Sequence, residues 1–285
     1  MKKNIKLFVN NNENAKQCAE LVKRKFNAYG FNVVDNDDFE IAIAIGGDGS
    51  FIRMLKNNNY NEDLYYLGIN AGSLGFLQEV GINDINNFIE ELINDEYKIE
   101  NVGIQETNVY NGNIVETHYS ANEIVLRNAV VNGIVHIGVY IDDNILENFV
   151  GDGILVATSL GSTAHNYSAK GAIVYSDLPS LQITHLQPNI SCINSCLNNS
   201  VIIPSDRIIK LLPQNENICL SVDGVNYLYN NIDSITSTIG KKRIRMLRFN
   251  HYNYPQKIRE KMLGISYNKN RWYTWAVYII LKKSS

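Results

Sequence analysis

Ile41-Ala42-Ile43-Ala44-Ile45-Gly46-Gly47-Asp48-Gly49-Ser50-Phe51-Ile52-Arg53-Met54-Leu55 is an apolar run, a glycine-rich break and the start of a helix-period stretch. It reads as strand, tight loop and helix. In an open α/β sheet, ligands gather beyond the carboxyl ends of strands, and glycines there let backbone N–H groups approach phosphate oxygens at a helix N-terminus. Asp48 stands at that mouth. Taken alone, the loop is equally well a plain βα turn in which Asp48 caps the helix. It is neither of the common phosphate loops. No Lys-Ser/Thr pair closes a G-x-x-x-x-G, and Ile52 stands where G-x-G-x-x-G needs its third glycine.

Upstream of this stretch, Ile5 to Val9 forms a strand-like run, and Ala15, Cys18, Ala19, Val22 and Phe26 recur at helical spacing. Phe31 to Val34 is extended, Leu64 to Ile69 is a further strand, and a helix spans about Ile85 to Ile93. Strands alternating with helices predict an α/β N-terminal domain, residues 1–96, with a parallel sheet and flanking helices. From Tyr97 the texture changes. The runs Ile124–Leu126, Ile134–Ile141, Ile154–Thr158, Val201–Ile203, Ile208–Leu212 and Ile218–Val222 are separated by Asn, Gly, Asp and Pro turns. They predict a β-rich, mostly antiparallel C-terminal domain over 97–240. Arg243 to Phe249 suits a return segment, 241–264, packing on the first domain. The tail 265–285, with Trp272, Tyr273, Trp275 and Tyr278, has no readable role.

The 285 residues are 45% hydrophobic, enough for a substantial core, and carry 26 Lys+Arg against 29 Asp+Glu. A net charge of -3 without a basic run excludes a general nucleic-acid binder. No apolar stretch has the length of a membrane span, and the start MKKNIKLFVNNNENAK lacks a secretory h-region. A cytoplasmic protein with free thiols is expected. Cys192 and Cys196, four apart, would share a helix face, but no His or further Cys completes a zinc set. His118, His136, His185 and His251 form no metal-ligand spacing.

Two further segments give the first loop its setting. The strand ending at Ile69 runs into Asn70-Ala71-Gly72-Ser73-Leu74-Gly75-Phe76-Leu77, a second small-residue break expected at the same sheet edge. The β-rich half holds Gly151-Asp152-Gly153 and then Gly161-Ser162-Thr163-Ala164-His165-Asn166-Tyr167-Ser168, dense in hydroxyls and backbone donors. The ordered set GGDGS, NAGSLGFL, Ala121-Asn122-Glu123, GDG, GSTA and Asp223-Gly224 resembles the NAD kinase family, over roughly residues 1–264. Gly-Gly-Asp-Gly alone is shared with phosphofructokinases and with diacylglycerol and sphingosine kinases; the ordered combination is specific.

The resemblance implies transfer of phosphate from ATP to the adenosine ribose 2′-hydroxyl of NAD. With no metal-ligand spacing in the chain, Mg²⁺ is expected to arrive with the nucleotide phosphates rather than be held by the protein, and the resemblance implies homodimers or homotetramers that complete each other's sites. Polyphosphate is an alternative donor in parts of the family. Asp48 matches the family's catalytic base; with a reference pKa of about 3.9 it takes the proton only as the new O–P bond forms. Gly46, Gly47 and Arg53 are expected at the phosphates, with Gly49 beside the dinucleotide. A solvated Arg53 is the plainer alternative.

Asn122 and Glu123 offer an amide and a carboxylate suited to an adenine edge and ribose hydroxyls, and the resemblance assigns both to NAD. Neighbours on a regular strand point to opposite faces, so both serve only at a bulge or strand end. Asp152 is a ribose acceptor or an Asp-Gly turn. Phe76 walls an adenine pocket or fills the core. Thr163, Ala164, His165, Asn166 and Ser168 fall on the family's dinucleotide stretch, with departures. The family usually has Tyr at His165, Pro and Thr at Ser159 and Leu160, a basic residue at Val150 and Gly at Lys170. Two rivals remain: another GGDG kinase acting on a sugar phosphate or lipid, and a nonenzymatic NAD(H) sensor.

Overall fold

Strand β1 (Asn4–Val9) leads into α1 (Glu13–Ala28), whose buried residues are Ala15, Cys18, Ala19, Val22 and Phe26, the set given by the helical spacing. The computed structural model describes residues 4–72, 75–81, 84–190, 195–250 and 252–264. Short β2 (Asn32–Val33), β3 (Ile41–Gly46), α2 (Asp48–Asn57), β4 (Tyr65–Asn70), β5 (Val80–Gly81) and α3 (Ile85–Ile93) complete the α/β half. Its strands run parallel in the order β4-β3-β1-β2, with β5 alongside the end of β4.

β3 is buried at every position because helices cover both faces. Ile41, Ile43 and Ile45 pack with α1 and α3; Ala42 and Ala44, on the opposite face, pack with Phe51, Met54 and Leu55 of α2. The two-residue period of the strand thus assigns bulky side chains to one layer and small ones to the other.

The β-rich half comprises β6 (Tyr97–Asn111), β7 (Ile114–Ser120), β8 (Glu123–Asn128), β9 (Val135–Ile141), β10 (Asn144–Thr158), α4 (His165–Ser168), β11 (Ser180–Pro188), β12 (Val201–Pro204), β13 (Ile209–Pro213), β14 (Asn217–Val222) and β15 (Val225–Asn230). Its pairings are antiparallel, and its core is built from Ile124, Leu126, Ile137, Phe149, Ile154 and their neighbours. Then β16 (Ser234–Phe249) pairs with β13 near Ile235, shifts register between Ile239 and Arg243, and runs parallel to β4 at Arg245 and Met246. The expected return segment is therefore the far end of a strand that crosses between the halves, with β6 paired along it. Helix α5 (Tyr254–Leu263) follows.

Cys192 and the tail 265–285 lie outside the described residues, and Cys196 sits in irregular chain rather than on the helix face expected from its spacing. No helix among the described residues is long and apolar enough to cross a membrane.

Candidate active site

From β1 the chain moves one way to β2 and the other way to β3 and β4, so strand order reverses between β1 and β3. Such a reversal opens a crevice at the carboxyl ends. Gly46 and Gly47 occupy it; Gly47 caps α2 without a side chain and its carbonyl accepts the Ser50 N–H at 2.8 Å, so the first-turn N–H groups of Asp48 and Gly49 carry no side-chain cap. Asp48, the first helical residue, does not fold back on its own helix. Its Oδ2 accepts the Phe76 N–H at 3.1 Å and its Oδ1 the Leu77 N–H at 2.9 Å, so the two glycine-rich loops are joined through one carboxylate. Gly75 permits this approach: a Cβ there would overlap Asp48 Oδ1 and Gln78 Oε1.

Other donors surround the mouth. Arg53 is exposed yet turns back over the first turn, its Nη2 donating to Ser50 Oγ at 3.1 Å, and Asn10 Nδ2 donates to the same oxygen at 2.9 Å. Asn10, at the end of β1, carried no sequence signal. Gln78 is buried and its amide has no partner among the described residues. Phe76 is buried as well, its ring 6.3 Å from that of Tyr254. Ser73 and Leu74 of the same loop lie outside the described residues.

The Asn122–Glu123 pair sits at a strand entry, as its joint use requires. β8 begins at Glu123, and Asp223 accepts the N–H groups of Ala121 at 2.8 Å, Asn122 at 2.9 Å and Glu123 at 3.1 Å. Asn122 C=O accepts the Thr158 N–H at 2.8 Å, and Gly161 presses on the Asn122 backbone so closely that any Cβ would collide. Ala121 and Leu160 share a core with Phe51 and Ile52, which brings this strand entry against α2. Burial, and then the Asp223 charge, push the Glu123 carboxyl up to about 8; its Oε2 is buried without a partner among the described residues. Asp223 is also pushed up by burial, against the pull of its three N–H bonds.

Asp152 lies apart. Ala157 pairs with Glu123, and five residues back along β10 is about 17 Å. Asp152 is exposed and lines a cavity of about 1150 Å³ with Arg127, His165, Ser168, Lys170 and Asn226. Asp48, Asn122 and Glu123 do not line it. His165 Nε2 is 3.5 Å from Arg127 Nη2; burial first, and that cation second, hold the imidazole below its ordinary value and so neutral at pH 7.

Thr163 and Ala164 are half-buried between these two groups in the chain. Asn166 is buried inside, its Oδ1 accepting from Thr184 Oγ1 at 2.7 Å and its Nδ2 facing the carbonyls of Ser162 and Ala172. Lys170 adopts φ +66°, a left-handed conformation that explains the family's preference for glycine there.

Residues 1–97 match the model of the ATP-NAD kinase N-terminal domain, and residues 121–248 match that of the ATP-NAD kinase C-terminal domain. The chain belongs to the ATP-NAD kinase family. It is 37% identical over 268 residues to the NAD kinase of Finegoldia magna, across 91% of this chain and 97% of that one. It is 30% identical to the NAD kinase of Clostridium beijerinckii, across 85% and 84%. Yeast NADH kinase, solved in complex with NADH, shares the fold at a TM-score of 0.80 and 18% identity, across 93% of this chain and 88% of that one. The ATP-NAD kinase frame thus holds for both halves, joined by the β6–β16 pair.

Proposed function

We propose that this protein transfers the terminal phosphoryl group of ATP to the adenosine ribose 2′-hydroxyl of NAD, making NADP and ADP. Membership in the ATP-NAD kinase family supports the reaction. The observation that carries the mechanism is Asp48, held by two N–H groups at the N-terminus of α2 in the strand-order crevice. A carboxylate has about four lone-pair sites, so two remain for a ligand hydroxyl.

The 2′-oxygen attacks the γ-phosphorus, the bond from phosphorus to the β–γ bridging oxygen breaks, and the hydroxyl proton passes to Asp48 as the new O–P bond forms. The α2 N–H groups and Arg53 face the transferred charge, with Gly46 and Gly47 leaving room for phosphate. On this reading Mg²⁺ enters with ATP as part of the MgATP substrate.

Asn122 and Glu123 take the adenosine end of NAD beside Gly49 and Phe76, while Thr163, Ala164, His165 and Ser168 form its further bed, which buried Asn166 braces from within. Asp152 lines the cavity with His165 and Ser168, about 17 Å along β10 from the Glu123 pairing, and a homo-oligomer in which copies complete one another's sites accommodates that separation. The exposed Leu228 on edge strand β15 suits such a contact. Polyphosphate is a second candidate donor.

A coupled assay with purified protein, MgATP and NAD, read by an NADP-specific dehydrogenase, is expected to give NADP at a rate proportional to enzyme. Tight NAD binding with no product would point to a sensor, and absence of both to another GGDG kinase.

A further inference from the structure

Helix α5 presents Tyr254 and Lys257, three apart and so on one face, as its buried residues. Tyr254 is an ordinary anchor, its hydroxyl donating to Val174 O at 3.0 Å. Lys257 is not: a lysine only 8% exposed is rare unless something needs the charge. Its Nζ donates to Phe76 O at 3.2 Å and to Gln78 O at 2.5 Å, and lies 4.6 Å from the Tyr252 ring centre.

The Phe76 carbonyl and the Leu77 N–H belong to one planar peptide group. Its oxygen accepts from Lys257; its N–H donates to Asp48 Oδ1 at 2.9 Å. An ammonium and a carboxylate therefore face each other across a single rigid amide. A cation on the carbonyl polarises that amide and strengthens its N–H as a donor.

We propose that Lys257 is a positioning residue for phosphoryl transfer, its positive charge acting through the Phe76–Leu77 peptide to hold the Asp48 carboxylate aimed at the mouth. This rests on Asp48 being the proton acceptor. The charged neighbours of Lys257 come from three other elements and from the chain before β5. They are Asp48 on α2, Glu79 before β5 with Oε2 at 3.9 Å, Glu100 on β6 and Arg248 on β16, with Tyr252 ahead of α5. Burial lowers the lysine to about 8, the Glu79 charge opposing and the Arg248 charge assisting. Lys257 is thus charged at neutral pH and loses its proton as the medium becomes alkaline.

The test is kcat against pH for the parental enzyme, Lys257→Arg, Lys257→Met and Asp48→Asn, with melting curves for each. The parental kcat is expected to fall above about pH 8. Lys257→Arg, which stays charged, should lose that alkaline fall, and Lys257→Met should have kcat at least about tenfold lower at pH 7 with KM for NAD changed less than about threefold. An Arg variant whose alkaline fall persists overturns the proposal, as does a folded Met variant with parental kcat. If neither variant folds, kcat of Glu123→Gln decides it: a fall near 8 that persists without that carboxyl supports the proposal, and a profile flat to about pH 9.5 overturns it. An active Asp48→Asn enzyme refutes the base assignment itself; an inactive one beside a parental-like Lys257→Met refutes the Lys257 role alone.

Discussion

Asp48 in the α/β half accepts two backbone N–H groups from a loop 28 and 29 residues further along, and Asp223 in the β-rich half accepts three from a strand entry about a hundred residues earlier. The gripping device is the same; the far side of each carboxylate differs. Asp48 is half-buried at a helix N-terminus, with Arg53 over the same turn and Lys257 behind the donating peptide. Asp223 turns toward Tyr60 and shares its surroundings with a second carboxylate, Glu123. An N–H clamp only orients a carboxylate. The neighbours decide whether it meets a reacting hydroxyl or holds chain segments together.

The widest separation is expected between two variants. Asp48→Asn keeps the size of the side chain and one of its two acceptor oxygens but cannot take a proton, so kcat should fall about 100-fold, about 2.7 kcal/mol of barrier, while Tm drops only by what one lost N–H bond, about 1 kcal/mol, accounts for. Asp223→Ala should do the reverse. It strips the acceptor from three N–H groups, costing about 2–3 kcal/mol of stability, lowering Tm and raising KM for NAD as Asn122 and Glu123 lose their hold. Kinetics and calorimetry on both decide it: a loss of kcat in Asp223→Ala matching that of Asp48→Asn, without a Tm change, would erase the distinction.

The same pair marks what could be read before folding. β3, its loop and α2 were legible because an apolar run, glycines and a helix period occur in succession within 41–57, all local signals. The α1 face was legible for the same reason. β7 and β15 were not, since exposed side chains leave them no apolar pattern. β16 was legible as a run near Arg243 to Phe249, but its partner strand β4 is about 180 residues away and no local pattern encodes that.

The site divides likewise. Asp48 and Asn122–Glu123 stood out through motifs, whereas Asn10 and Lys257 reach the mouth through contacts 40 and 181 residues away, Asn10 on Ser50 and Lys257 on the Phe76 carbonyl. Cys196 lies in irregular chain, and Cys192, outside the described residues, leaves the spacing of four without a helix to act on.

The smallest expected effect tests the β-rich side by pH. The Glu123 carboxyl is about 8 in the folded protein against an ordinary 4.5, so between those values the folded state holds a proton that the unfolded chain has released. Stability then falls as pH rises through that window and levels off above about 8, because there neither state is protonated. Glu123→Gln mimics the neutral acid and has no proton to lose. Its Tm should match the parent near pH 5, pull ahead as pH rises, and hold a constant lead above about 8. Asp223 keeps its three N–H donors in both proteins, so the lead isolates one carboxyl; about 1–2 kcal/mol, or about 4 °C, is expected at pH 8. A lead independent of pH from 5 to 9 would mean Glu123 is ionised throughout, making the two clamps alike in charge and leaving Lys257 and Arg53 as the whole difference between them.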